Sequence, residues 1–327
     1  MSRLTPGAET ALAHIGANAR PFEQLTITEA RRGLAGISDA LSTEPEAVGS
    51  VEEHMVSAGG PPVRVRIYRP EEGTGTTHHP VVLMMHGGGW ALGDLETHDG
   101  FARSLCNAAS AVVVAVDYRR TPEHPFPAAL EDTYSVLCWC HGNLSELDGA
   151  DASALFVVGD SAGGNLAAAV GLMARERGGP SIAGQILIYP VLDSRLQTGS
   201  CREFADGYFL TLQKLRWFWS MYLPEGQDGS DPLLSPLRTD DLSGLPPALV
   251  ITAELDPLRD EGEAYARALE AAGVLATTIR YPGVIHAFTL MSALMPEARD
   301  AIAECARFIC RTTSRRARCG DTEMGER

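Results

Sequence analysis

Gly159-Asp160-Ser161-Ala162-Gly163 is the segment whose residue types point most directly to chemistry. It fits the pattern G-x-S-x-G, follows the apolar run Ala154–Val158 and precedes the helical run Leu166–Arg175. A serine on so tight a strand-to-helix turn is held in a strained backbone conformation, and only small neighbours let the two elements approach. The hydroxyl is then lifted clear of the backbone as a nucleophile. The Ala162 N–H falls at a helix N-terminus, where negative charge is stabilised. A Gly-rich turn with no chemistry has the same composition, so Ser161 needs partners.

His86-Gly87-Gly88-Gly89-Trp90 follows another apolar run, Val81–Met85. Consecutive glycines lose more conformational entropy on folding than other residues, and they make sense where backbone N–H groups must face a ligand unobstructed. Such a loop, with the Ala162 N–H, could supply donors to an oxyanion formed in acyl transfer. Neither G-x-x-x-x-G-K-[ST] nor a G-x-G-x-x-G opening a helix is present, so nucleotide binding is the weaker account of this loop.

A serine nucleophile needs a base and a carboxylate to orient that base. Of nine histidines, only His286 lies C-terminal to Ser161, in Tyr281-Pro282-Gly283-Val284-Ile285-His286 after a strand-like run. In the order nucleophile, acid, base, the acid falls between them. Asp256 lies in the loop after Ala248–Thr252, before Pro257. Glu254 is the second choice and Asp193 a third position, while Asp260 and Glu261 read as the first turn of the next helix. Asp160 is expected to point away from the chemistry. Trp90, Tyr189, Trp217, Phe218 and Trp219 are the candidates for substrate contact, and for the three helical aromatics the alternative is that they only anchor a cap.

These side chains must be positioned by a sheet. The runs Val81–Met85, Ala111–Val116, Ala154–Val158, Ile186–Tyr189, Ala248–Thr252 and Ala276–Tyr281 read as buried parallel strands. They alternate with helical stretches at Thr97–Ala109, Ala128–His141, Ala162–Arg177, Glu261–Ala272 and about Pro296–Arg311, which predicts an α/β fold with a mostly parallel central sheet. Val48–Ala58 and Val63–Arg69 read as a hairpin across Gly59-Gly60, and Glu71–His79 as a polar loop. Residues 6–41 read as two short amphipathic helices broken at Pro21. Leu196–Leu223 has no buried-strand run and is dense in aromatics at helical spacing, as expected of an insertion over something apolar. The expected division is 1–45 cap helices, 46–195 and 226–312 core, 196–225 cap insertion and 313–327 flexible tail.

The chain has 327 residues, 45% hydrophobic and 21% charged, enough for one large core. Its formal net charge of −15 opposes nucleic acid and anionic membranes as partners. No apolar run is long enough to span a bilayer, and the first 16 residues do not read as a signal peptide. Seven cysteines in no metal or redox spacing suggest reduced thiols in a cytoplasmic protein.

HGGGW at 86–90, Asp117-Tyr118-Arg119, Pro122-Glu123-His124-Pro125-Phe126-Pro127-Ala128-Ala129, Gly159–Asn165 and Asp256–Gly262 together resemble the bacterial hormone-sensitive-lipase-like (family IV) esterases, a branch of the α/β-hydrolases. The resemblance spans about Val63–Phe288. It implies an α/β-hydrolase fold with a helical cap and a carboxylesterase for short to medium acyl esters. It implies Ser161, Asp256 and His286 as triad, Gly88, Gly89 and Ala162 as oxyanion donors, and no metal or cofactor. It allows a homodimer. The family usually has Gly after the catalytic histidine, where this chain has Ala287, and Leu-Ala before the Pro-Glu-His-Pro motif, where it has Arg120-Thr121. Plant gibberellin receptors resemble the same family without the histidine, so a binding module is the rival reading; His286 favours an enzyme. Amide hydrolysis stays open, because a triad does not choose its leaving group.

Overall fold

The computed structural model describes residues 3–16, 20–71, 79–147 and 150–324. Most of the expected polar loop Glu71–His79 lies outside them. The chain begins with α1 (Pro6–Gly16) and α2 (Ile27–Leu41), with a short 3-10 turn at Phe22–Gln24 where Pro21 breaks the helical pattern. Thr26 starts α2 by a reciprocal cap: its hydroxyl accepts from the Glu29 N–H, and the Glu29 carboxylate accepts from the Thr26 N–H.

The hairpin β1 (Ser50–Val56) and β2 (Val63–Arg69) follows. Then come β3 (Pro80–Met85), α3 (Asp99–Ala109), β4 (Val112–Asp117), α4 (Ala128–Gly142), β5 (Asp151–Asp160), α5 (Ala162–Arg177) and β6 (Gly184–Ile188). The short α6 (Gly199–Glu203) and α7 (Leu212–Tyr222) fill the aromatic interval. The chain then adds β7 (Ala248–Leu255), α8 (Arg259–Ala271), β8 (Ala276–Ile285) and α9 (Glu297–Met324).

The strands form one sheet in the order β1-β2-β4-β3-β5-β6-β7-β8, antiparallel at β1–β2 and β2–β4 and parallel from β4 onward. Every residue of β3 and β6 is buried, as the unbroken apolar runs require of strands covered on both faces. Burying each such Val, Leu or Ile contributes about 1.5–3 kcal/mol relative to exposure. β4 and β5 flank β3 on opposite sides, so right-handed crossovers place α3 and α4 on opposite faces. Accordingly α3 packs with α9, and α4 with α5. The carboxyl ends of β3, β5, β7 and β8 then share one edge, where open α/β sheets bind ligands.

The last helix runs to Met324 instead of ending near Arg311, so most of the tail expected from 313 continues α9. Residues 312–324 contain no proline, and Thr313 returns its hydroxyl to the Ile309 carbonyl, which is compatible with an unbroken helix. A single interior Gly320 weakens a helix by only about 1 kcal/mol.

Candidate active site

Ser161 stands between β5 and α5 at φ 55°, ψ −116°, a conformation that L-residues adopt at a cost of roughly 1–3 kcal/mol. Three bonds hold the turn: the Ser161 N–H donates to Ile188 O at 2.8 Å, and the Asn165 and Val191 N–H groups donate to Ser161 O at 3.1 and 3.2 Å. Asn165, buried, donates from its amide to Val191 O and Leu234 O, tying α5 to the loop after β6. The turn also needs Gly163, where an added Cβ would stand 2.1 Å from Met85 O of β3. Elbow and β3 loop are therefore in backbone contact.

The Ser161 hydroxyl lies 2.9 Å from His286 Nε2, and His286 Nδ1 lies 2.7 Å from Asp256 Oδ2. Asp256 is fully buried, His286 4% and Ser161 8% exposed, so bulk water does not compete for these bonds. A carboxylate only accepts, so Nδ1 donates to Asp256 and Nε2 is left to accept the serine proton. The other Asp256 oxygen accepts from Leu258 N–H at 2.9 Å, which fixes the carboxylate plane. The alternative acids are engaged elsewhere. Glu254 accepts from Gly283 N–H, Asp193 pairs with Arg195, Asp260 accepts from Ser200 N–H and Glu261 from Leu192 N–H.

Asp160 points away from the nucleophile, into the adjacent loop. Its carboxylate accepts from Gly87 N–H at 2.8 Å and lies 3.2 Å from His98 Nε2. Burial pushes this carboxyl up, but His98, which faces it, and then His286 more than offset that and hold it below the ordinary aspartate range. The neighbouring His86 packs on Tyr118, whose hydroxyl donates to His86 O. Burial lowers His86 to about 3, so its ring is neutral at working pH. This apparatus holds the Gly88-Gly89 backbone beside Ser161. Among the described residues, no protein acceptor pairs with the N–H of Gly88, Gly89 or Ala162. Arg120, one of the two departures before Pro122, donates to Gly93 O and secures the far end of the same loop.

Gly89 has φ +60° and lies under Phe218, where an added Cβ would come within 2.1 Å of the ring. Gly89→Ala is expected to turn this N–H away from the cavity and, if it serves as one donor to an oxyanion, to lower kcat by roughly 10²–10³. Steady-state kinetics beside a thermal melt check this, since a folded variant with near-normal kcat would remove Gly89 from the donor set.

A small cavity of about 50 Å³ opens on Ser161 and His286. Gly88, Gly89, Trp90, Phe218 and Asp160 line it, joined by Phe22, Leu34, Leu92, Val191, Phe209, Leu210, Lys214, Leu215, Ala287 and Leu290; the Asp160 carboxylate there is bonded to Gly87 N–H. Trp90 stacks on Tyr222 with centroids 4.0 Å apart, so it also anchors α7. Tyr189, Trp217 and Trp219, read from sequence as substrate contacts, do not line this cavity; Trp219 is buried against Trp90, centroids 4.8 Å apart. Tyr189 is fully buried behind His286, 4.7 Å from its ring, with its hydroxyl bonded to Thr289. Trp217 lies one residue before Phe218, about 100° around the helix, away from the face on which Leu215, Phe218, Trp219 and Tyr222 are buried. The sequence reading missed Phe22, Phe209 and Lys214. Helical spacing relates Lys214 to Phe218, but only the folded chain brings Phe22 to them.

Comparison with known proteins follows the same lines. The profile of the α/β hydrolase fold family matches residues 82–290. The chain is 43% identical over 268 residues to carboxylic ester hydrolase LipN of Mycobacterium tuberculosis, covering 80% of this chain and 70% of that one. It is 36% identical over 288 residues to the ethyl acetate hydrolase of Pseudomonas putida, covering 86% and 89%. Among solved structures, a thermostable esterase from Pseudomonas putida ECU1011 superposes with a TM-score of 0.86 at 39% identity, covering 92% and 96%.

Proposed function

We propose how a chain that belongs to the hormone-sensitive-lipase-like carboxylesterases of the α/β-hydrolase superfamily uses its residues. It is a serine carboxylic ester hydrolase, and Ser161, His286 and Asp256 act as its nucleophile, base and orienting acid. The observation that carries the assignment is the continuous hydrogen-bonded path from Asp256 through His286 to the Ser161 hydroxyl. His286 takes the serine proton as the hydroxyl attacks the ester carbonyl, and the oxyanion is received by Gly88, Gly89 and Ala162 N–H. The imidazolium protonates the leaving alcohol, and water releases the acyl group by the same steps.

The described residues of 1–45, together with 196–225, form a cap over the site. Arg31 of α2 supports this by a bidentate pair with Glu123 and a bond to Ala91 O, and α7 by its stack on Trp90. The free thiols Cys106, Cys138, Cys140, Cys201, Cys305 and Cys310 fit a reducing cytoplasm. No helix among the described residues is long and apolar enough to cross a membrane.

The acyl preference lies at the short end of the short-to-medium range. The cavity on Ser161 is small and walled by the rings of Phe22, Phe209 and Phe218, so longer chains must displace side chains. The ethyl acetate hydrolase relative agrees with this reading. Ala287 contributes: it holds φ +63° and its methyl lines the cavity where the family usually has Gly. On a graded series of nitrophenyl esters, kcat/KM is expected to peak at acetyl to butyryl and fall by octanoyl. Ala287→Gly, which suits the backbone, should raise the octanoyl-to-acetyl ratio by up to about tenfold, since a methylene-sized change in a pocket is worth about 1–3 kcal/mol. An unchanged ratio would place the acyl chain elsewhere.

A further inference from the structure

Lys214 is a cation in a pocket that ester hydrolysis does not need to be charged. It sits on α7 one turn before Phe218, and both line the cavity that opens on Ser161 and His286. Its Nζ lies 5.0 Å from the ring centroids of both Phe22 and Phe209, which line the same cavity, and donates to Phe209 O at 2.6 Å. That leaves donors in hand, because an ammonium has three. Among the described residues no carboxylate lies within 4 Å of it, although the chain is rich in acids. Burial pushes the ammonium below its ordinary range, opposed by the more distant Glu23 and Asp206. A half-buried cation held by one carbonyl and two ring faces is desolvated without a counter-ion, and placing an anion beside it recovers interaction that the folded protein leaves unused.

We propose that Lys214 makes this enzyme selective for esters that carry a carboxylate a few carbons from the scissile bond. The reaction is unchanged hydrolysis: a hemiester of a dicarboxylic acid takes up water, loses its alcohol and leaves as the dicarboxylate. The separation follows from the cavity: Lys214 lines the same small cavity as Ser161, Gly88 and Gly89, so a carboxylate paired with it can be only a few carbons from the scissile carbonyl. Long-range attraction does not contribute, because the formal net charge of −15 repels anions, so discrimination arises at Lys214 itself.

This inference rests on the ester-hydrolase reading of the same cavity, and its test separates the two. Monoethyl esters of succinic, glutaric and adipic acid are compared with the ethyl alkanoates of matching length. Acetoxy carboxylic acids are compared with alkyl acetates, to cover a carboxylate on the alcohol side. The readout is the ratio of kcat/KM for the anionic ester over its neutral partner within one preparation, which does not depend on the fraction of folded enzyme. Lys214→Met and Lys214→Gln are expected to lower that ratio about tenfold or more, mainly through KM, as for loss of a charge-assisted hydrogen bond. Lys214→Arg should keep most of it. A ratio that is the same in wild type and both neutral variants, in both substrate sets, overturns the proposal. Failure of the wild-type enzyme to hydrolyse either member of any pair would instead overturn the ester-hydrolase reading, and this inference with it.

Discussion

Ser161→Ala is expected to lower kcat on nitrophenyl acetate by on the order of 10⁶, the loss found when the serine of a Ser–His–Asp hydrolase is removed. The variant should remain folded. The serine hydroxyl has His286 as its protein partner, the backbone bonds of the turn come from main-chain groups, and alanine fits among the same small neighbours. A melting temperature within a few degrees of wild type, beside abolished turnover, separates chemistry from stability. His286→Ala should be nearly as severe, and the double variant little worse than either alone, because the two side chains act as one unit. Mass spectrometry after treatment with an aryl phosphonate offers an independent reading: the adduct should map to Ser161 in wild type and vanish in Ser161→Ala. Residual turnover above about one per cent in a purified Ser161→Ala sample would move the nucleophile to another residue.

Asp256→Asn should lower kcat by about 10⁴ while keeping the geometry, because it changes which His286 nitrogen carries the proton. The Leu258 N–H donates to one oxygen of Asp256, so an asparagine there keeps its carbonyl toward Leu258 and turns its amide toward His286. The amide donates, Nδ1 must then accept, and the ring proton moves to Nε2, where it blocks transfer from Ser161. The opposite rotamer sets two N–H donors against each other at Leu258. The measurement is kcat on the same ester beside a thermal melt. A loss smaller than tenfold would mean that Asp256 is not what orients His286. Glu254→Gln and Asp193→Asn serve as contrasts, since those carboxylates bond Gly283 N–H and Arg195.

Legibility of the site in the sequence followed the range of the forces involved. The boundaries of α5 could be read because the elbow, its glycines and a helical run are contiguous, and local sterics set such turns. His286 could be read because no other histidine follows Ser161. The cavity lining was read less well. Phe218 and Trp217 are adjacent and equally apolar, and the rotation of α7 alone decides that one covers Gly89 and the other does not. Tyr189 ends a buried run near the nucleophile, yet it supports His286 from behind instead of meeting the cavity. The last helix was read short because a run of polar and basic residues carries no apolar stripe, while helical hydrogen bonding does not require one.

By itself, then, the order of residues along this chain determined the alternation of strands and helices, the strained turn that presents Ser161, the glycine loop that follows β3 and the only histidine able to serve it. These are consequences of backbone sterics and of periodicity over a few residues. Tertiary structure decided which of several nearby carboxylates reaches His286, that Asp160 braces the oxyanion loop through Gly87, and that Phe22, from near the N-terminus, meets Phe209 and Lys214 over the site. Those outcomes depend on loop paths and helix rotation settled by close packing across more than a hundred residues of chain, where an ångström or a fraction of a turn exchanges one neighbour for another.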